Sequence, residues 1–460
     1  MKRIVIGISL LCVFSFFLQA QQITPFKYGD RVVFLGNSIT DGGHYHSYIW
    51  LYYMTRFPDI PIKILNAGIG GDRAVDMYNR LDGDVFSKNP TVLITTFGMN
   101  DSGYFEYNGD EPEKFADEKV KESYEAYKKI EERYKALSGT KLVLMGSSPY
   151  DETAKIENNE PLRNKNKAML RIVDFQRKSA EENGWEFLDL NVPMTEINQR
   201  VQQHNSAFAL CGNDRIHPDN DGHMVMAYLF LKAQGFVGNE VASVEVDAQK
   251  KSIDYTSNCS VSDLKVTPST IQFDYLANAL PYPLDTIARG WGSRKSQVLG
   301  AEVVPFIVEM NKEIFKVKGL KGEYKLIIDE EEIGIWKANE LEEGINLATQ
   351  TKTPQYQQAL AVMYLNESRW EIERRFREYA WIQFNFFKPR GLLFANNRKA
   401  IEAVDAHKAK DGWLNANRDS YSKMIYSEVR KALENQMEML IHTIYDINQP
   451  VARRVTLIKQ

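Results

Sequence analysis

The stretch "VVFLGNSITDGG", residues 32–43, decides the fold. Val32, Val33, Phe34 and Leu35 form an unbroken apolar run. Such a run suits a strand covered on both faces, as in a parallel sheet flanked by helices. The chain then breaks at Gly36-Asn37-Ser38, so a hydroxyl sits just past the strand's carboxyl end. In open α/β sheets that edge is where ligands bind. Ser38 is therefore either a cap for the next helix or a nucleophile, and the stretch alone favours the cap, since a serine before a helical pattern is usually one.

Outward from it, short apolar runs alternate with amphipathic charged segments from Phe26 to about Gly235. That alternation is the pattern of a β-α-β-α domain with a parallel sheet. The expected strands are "RVVFL", "IKILNA", "TVLITTF", "KLVLMG" and "WEFLDL". Helical patterns lie between them, including "HYHSYIWLYYMTRF" and a mixed-sign stretch over residues 112–137 that reads as a solvated outer helix. Beyond Gly235, segments such as "FKVKGLKGEYKLIIDEEEIGIW" alternate with period two and carry turn residues, which predicts a β-rich module. Helical patterns return from about Thr353. The expected division is a leader over 1–20, an α/β domain over 23–240, a β-rich module over 241–350 and a helical region over 351–460.

The bulk composition narrows the function classes. With a net charge of -4 in 460 residues, the chain lacks the basic footprint that nucleic-acid binding requires. The opening "MKRIVIGISLLCVFSFFLQAQ" has Lys2 and Arg3, an apolar run over 4–18 and a small residue at Ala20, the form of a signal peptide cleaved after Ala20. Its apolar run is shorter than the roughly 20 residues a spanning helix needs. The expectation is export to the periplasm or the exterior, with no stable membrane span. Leu11 before Cys12 argues against lipoprotein processing. Cys211 and Cys259 remain, enough for one disulfide in an oxidising compartment but too few and too far apart for a zinc site. No metal or cofactor is implied.

A serine nucleophile needs a base within hydrogen-bond reach, a group to orient the base, and donors for the oxyanion. Each has a candidate in a loop of its own. "GNDRIHPDNDGH", residues 212–223, places Asp214 three residues before His217, so a carboxylate can hold one ring nitrogen while the other faces outward. Read alone, a histidine in such a loop is more often simply exposed, with Asp219 or Asp221 capping the helix that follows. "NAGIGGDRA", residues 66–74, offers a free backbone N–H at Gly71, or simply a tight turn. "TTFGMNDSG", residues 95–103, offers the Asn100 amide, or an Asn-Asp turn. In a parallel sheet the loops that follow successive strands arrive at the same edge, which favours the functional readings taken together.

Taken in order, "GNSIT", "GIGGD", "GMND" and "DRIHP" make residues 30–235 resemble the SGNH hydrolases, the GDSL-type esterases. The resemblance implies a flavodoxin-like three-layer α/β/α fold. It implies that Ser38 is the nucleophile and lends its N–H to the oxyanion hole, that Gly71 and Asn100 complete the hole, and that His217 is the base oriented by Asp214. Asn37 stands where many relatives have Asp, which points to a difference in substrate tuning or local hydrogen bonding. The Gly-x-Ser-x-Gly elbow of the α/β-hydrolases is absent.

Asn37, His44, His46 and Tyr104 are the candidate substrate contacts, with a polar and aromatic packing face as the alternative for the histidines. Arg369, Trp370, Arg374, Arg375, Phe376 and Arg377 read as a packing stripe with a charged flank. The expected substrate is an ester, foremost an O-acetyl group on a carbohydrate. A lipid or lysophospholipid acylhydrolase is the rival enzyme, and a non-catalytic glycan-binding protein the rival outside catalysis. Neither the role of residues 241–460 nor the oligomeric state is legible.

Overall fold

The computed structural model describes residues 22–460 except Trp291; the expected leader and Cys12 lie outside the described residues. The first domain is a parallel sheet of β1 (Arg31–Gly36), β2 (Lys63–Gly68), β3 (Val92–Thr95), β4 (Lys141–Gly146) and β5 (Glu186–Asp189), in spatial order 2-1-3-4-5. Side-chain alternation builds the layers. Val32 and Phe34 face one way, toward α2 (Tyr45–Arg56), which follows the short α1 (Ser38–Asp41). Val33 and Leu35 face the other way, toward α3 (Ala74–Arg80), α4 (Pro112–Lys135) and α5 (Lys165–Asn183). The chain continues through α6 (Asn191–Gln202) and α7 (Asn220–Ala233), which add to the first face. β1 lies inside the sheet, between β2 and β3, and is buried on both faces, as its unbroken apolar run requires.

The β-rich part is two sheets packed face to face. One contains β6 (Ala242–Asp247) and β7 (Ser252–Ser257), then β8 (Cys259–Val266) and β9 (Thr270–Ala277) begin the other. The chain leaves through α8 (Val298–Val303) and α9 (Phe306–Met310), whose Ala301, Phe306 and Met310 join the core of the α/β domain. It returns as β10 (Glu313–Lys318), β11 (Glu323–Ile328), β12 (Glu331–Lys337), α10 (Ala338–Glu343) and β13 (Ile345–Asn346). Val244, Val246 and Phe315 from one sheet meet Ile271, Phe273 and Leu326 from the other.

Four helices follow: α11 (Pro354–Trp381), α12 (Arg398–His407), α13 (Gly412–Met424) and α14 (Ser427–Ile447). The helical reading of the last region stops short of its end. β14 (Arg453–Lys459) lies between β9 and β11 in the five-stranded sheet, where Val455 and Leu457 are buried. The apolar alternation of "RRVTLIK" carries that strand, and its pairing across more than a hundred residues is what the local pattern could not show.

Cys211 and Cys259 do not pair. Their thiols donate to the carbonyls of Pro149 and Ser243 instead. Among the described residues no helix is long and apolar enough to cross a membrane.

Candidate active site

The carboxyl ends of β1, β2 and β3 and the loop before α7 converge on one edge. Asn37 is the cap of α1, its side-chain oxygen accepting the Ile39 N–H at 3.0 Å. Ser38 is therefore not the cap, and its hydroxyl is available across the cleft. His217 Nδ1 lies 2.6 Å from Asp214 Oδ2, and the same carboxylate accepts the N–H groups of Ile216 and His217 at 2.9 Å each. A carboxylate only accepts, so Nδ1 carries the hydrogen and Nε2 is an acceptor. Ser38 Oγ stands 2.8 Å from that Nε2 and donates to it. Burial pushes the Asp214 carboxyl up, but the bonds from the His217 ring and from the two N–H groups outweigh it and hold the group below its ordinary value. The fixed charge is what a protonated imidazole needs beside it.

Arg215 holds this loop in shape. It has φ of +69°, is buried, and its guanidinium donates to the carbonyls of Asp151 at 3.0 Å, Ala154 at 2.8 Å and Asn159. Asp219 is the cap of α7, as one alternative for the loop had it, and Asp221 pairs with Lys295 at 3.0 Å.

Gly71 has φ of +87°, a left-handed conformation that glycine adopts without strain. Neither its N–H nor that of Ser38 meets an intramolecular acceptor among the described residues. The Asn100 amide is held at both ends: Nδ2 donates to Asp72 O at 2.9 Å, and Tyr104 Oη donates to Oδ1 at 2.6 Å. One amide hydrogen is left for a ligand. Asp101 ties the same loop to α3 by accepting the Ala74 N–H at 2.9 Å. Lys165 is fully buried beneath it. Its ammonium donates to Met99 O and Ser102 Oγ at 2.7 Å each and to Gly103 O, and lies 4.0 Å from the centre of the Tyr104 ring. Burial pulls that amine down to about 7, with Asp101 and Glu152 opposing.

The expected substrate contacts are relocated. Asn37 is buried and its side-chain oxygen is used in capping. His44 is buried, bonded to Glu367 at 3.1 Å and stacked on Trp370 at 4.1 Å between centroids. His46 is buried against the Thr40 carbonyl, and burial pushes its imidazole down to about 4. Neither histidine is a rim residue: Glu367 and Trp370 of α11 cover His44, and Thr40 and Phe34 cover His46. Tyr104 is half-buried and its hydroxyl is engaged by Asn100.

Arg369, Trp370 and Arg377 of the expected packing stripe on α11 are buried, and the support they and Arg80 of α3 give to the site loops is what sequence reasoning missed. Arg377 pairs with Asp84 at 2.7 Å, Arg80 bridges Asp84 and Asp72 at 2.6 Å each, and the Asp72 carbonyl is the one that orients Asn100. Burial alone would raise the Asp84 carboxyl; Arg377, Lys88 and Arg80 outweigh it and hold the group well below the usual range. Glu373 accepts the Asn66 N–H at 2.8 Å, and the Trp370 and Trp381 indoles donate to Gly43 O and Gly70 O at 3.3 and 3.0 Å. Arg369, Glu373, Arg377 and Trp381 recur every fourth position on one helix face, and that spacing was the available signal.

A family model described as the GDSL-like lipase/acylhydrolase family matches residues 34–225. Another, described as the diltiazem deacetylase C-terminal helical domain, matches residues 360–449. The solved structure of a gut microbial diltiazem-metabolizing enzyme is 61% identical in sequence and superposes with a TM-score of 0.94, covering 96% of this chain and 100% of its own. The chain belongs to the SGNH hydrolases, the GDSL-type esterases. The curated acetylxylan esterase of Geobacillus stearothermophilus is 28% identical over 229 residues, 45% of this chain and 95% of that protein. As an SGNH hydrolase with such relatives, the protein is a carboxylic ester hydrolase.

Proposed function

We propose that the protein is an exported acetylesterase in which Ser38 is the nucleophile, His217 the general base and Asp214 the group that orients it. The observation that carries this reading is the unbroken chain from Asp214 through His217 to Ser38, at 2.6 and 2.8 Å. Ser38 Oγ attacks the ester carbonyl carbon while His217 Nε2 takes the hydroxyl proton. The N–H groups of Ser38 and Gly71 and the remaining Asn100 amide hydrogen receive the oxyanion. The intermediate collapses, the C–O bond to the alcohol breaks, and His217 returns the proton to the departing oxygen. Water then enters the same cycle, releases acetate and regenerates the serine. Export is supported by the basic, apolar and small-residue order of residues 1–20.

The substrate class is an O-acetyl ester of a carbohydrate, which the likeness of the hydrolase domain to an acetylxylan esterase supports. The full-length likeness to a diltiazem-metabolizing enzyme favours a second reading, the acetate ester of a small drug-like molecule. Acetate released from acetylated xylo-oligosaccharides and from diltiazem, with Ser38→Ala as control, tests both. No acetate from either, with turnover of p-nitrophenyl esters that climbs with acyl length, would move the reading to a lipid acylhydrolase.

A further inference from the structure

The helices after β13 buttress the site, and one residue among them also reaches its mouth. Trp413 lies in the first turn of α13, where the Asp411 side chain accepts the N–H groups of Trp413 and Leu414 at 3.0 Å each. Its six-membered ring lies against Gly70, so close that a Cβ added there would be 2.7 Å from Cη2. The ring is also nearly parallel to Trp381, at 14° and 6.1 Å between centroids. Trp381 is itself anchored on the Gly70 carbonyl. The indole is thus held in place on two sides, yet 38% of its surface is exposed.

Three clefts meet at this ring. One, of about 480 Å³, contains Asp214 and His217; a second, of about 610 Å³, contains Gly71 and Asp72; a third, of about 430 Å³, contains Asp41 and Gly42. Each is in the range of about 300–1,000 Å³ that holds a drug-sized molecule, far more than an acetyl group fills. Space of that size is enough for the alcohol part of an ester.

We propose that the Trp413 indole is the platform for that alcohol, which makes the C-terminal helices part of the substrate site. The inference rests on the acetylesterase reading above. The ligand class is the acetate of a ring-bearing alcohol whose apolar ring face lies on the indole. Sugars and aromatic rings both present such a face. Trp413 brings no titratable group, so its contribution is to binding and specificity and not to bond cleavage.

The test compares kcat/KM of the full-length protein, Trp413→Ala and Trp413→Phe on ethyl acetate, 1-naphthyl acetate and acetylated xylobiose. Trp413→Ala is expected to lower the ratio of ring-bearing to ring-free activity by about 10-fold or more, chiefly through KM, and Trp413→Phe to recover most of it. A loss confined to the naphthyl or to the sugar ester supports the platform and names its occupant. An equal loss on ethyl acetate overturns the proposal, because the ring would then only brace the Gly70 loop; so does an unchanged ratio. If the unmodified protein cleaves none of the three, the acetylesterase reading has failed. Binding of 1-naphthol and xylobiose to the unmodified protein and to Trp413→Ala then decides the platform separately: weaker binding in the variant supports it and equal binding overturns it.

Discussion

Tyr104→Phe removes one oxygen, the one bonded to Asn100, and should slow the reaction. The Tyr104 hydroxyl donates to Asn100 Oδ1 at 2.6 Å, while Asp72 O holds one Nδ2 hydrogen at 2.9 Å. Together these contacts fix the plane of the amide and aim its remaining hydrogen. Without the tyrosine bond, one of the two restraints is gone. A typical net hydrogen bond contributes about 1 kcal/mol, equivalent to roughly fivefold in rate. Losing the Asn100 donor itself costs about 3 to 4 kcal/mol, or roughly 10² to 10³ in kcat. Steady-state kinetics on a short acetate ester with Tyr104→Phe, Asn100→Ala and the double variant separate the routes. The expected outcome is kcat down roughly fivefold in Tyr104→Phe at constant KM, and no added loss in the Asn100→Ala background. The reasoning is refuted by a rise in KM at constant kcat, which would restore Tyr104 as a substrate contact. It is refuted equally by the same fivefold loss when Asn100 is already gone.

Asp214→Asn should leave the fold intact and lower kcat by about 10⁴, since the wrong His217 tautomer would then be favoured; retention of even a tenth of the activity would remove Asp214 from its role. Lys165→Met should lower kcat with little change in KM, because the Met99, Ser102 and Gly103 anchors of the Asn100 loop are lost; a change in KM alone would contradict this. Arg377→Ala leaves Asp84 with Arg80 and Lys88, so the loss in denaturant-measured stability is expected near about 3 kcal/mol, the low end for a broken buried pair. Glu313 carries a pH signature: burial raises its carboxyl from 4.5 to about 7, with Tyr275, Gln355 and Arg56 opposing. The folded chain keeps a proton there that the unfolded chain has already released, so the group's stabilisation is complete below 4.5 and is lost as pH rises through about 7. Urea unfolding at pH 5 and pH 8 should show a loss of about 3 kcal/mol at most from this group, removed in Glu313→Gln. An identical pH dependence in both proteins would refute it.

The layered fold was legible because its signals are local. Four apolar residues at 32–35 need cover on both faces, and β1 has it. The loops with Ser38, Gly71 and Asn100 reach one edge because parallel strands all point the same way, and the His217 loop, between α6 and α7, meets them there. Side-chain destinations were less legible. His44 and His46 look like a polar face beside Ser38, yet Glu367, more than three hundred positions later, covers His44, and Thr40 and Phe34 cover His46. Tyr104 reads from the sequence as a substrate contact, and nothing in its surroundings in the chain shows that its hydroxyl ends on Asn100.

By itself the sequence determined the parallel-sheet hydrolase domain and the order of its site loops, since apolar period and turn chemistry act over a few residues. Only the tertiary structure decided that β14 inserts between β9 and β11, that Arg377 anchors the loop beneath Asn100, and that Trp413 stands at the mouth of the site. Those placements depend on which surfaces meet when the whole chain buries its apolar area. Local spacing carries no record of that.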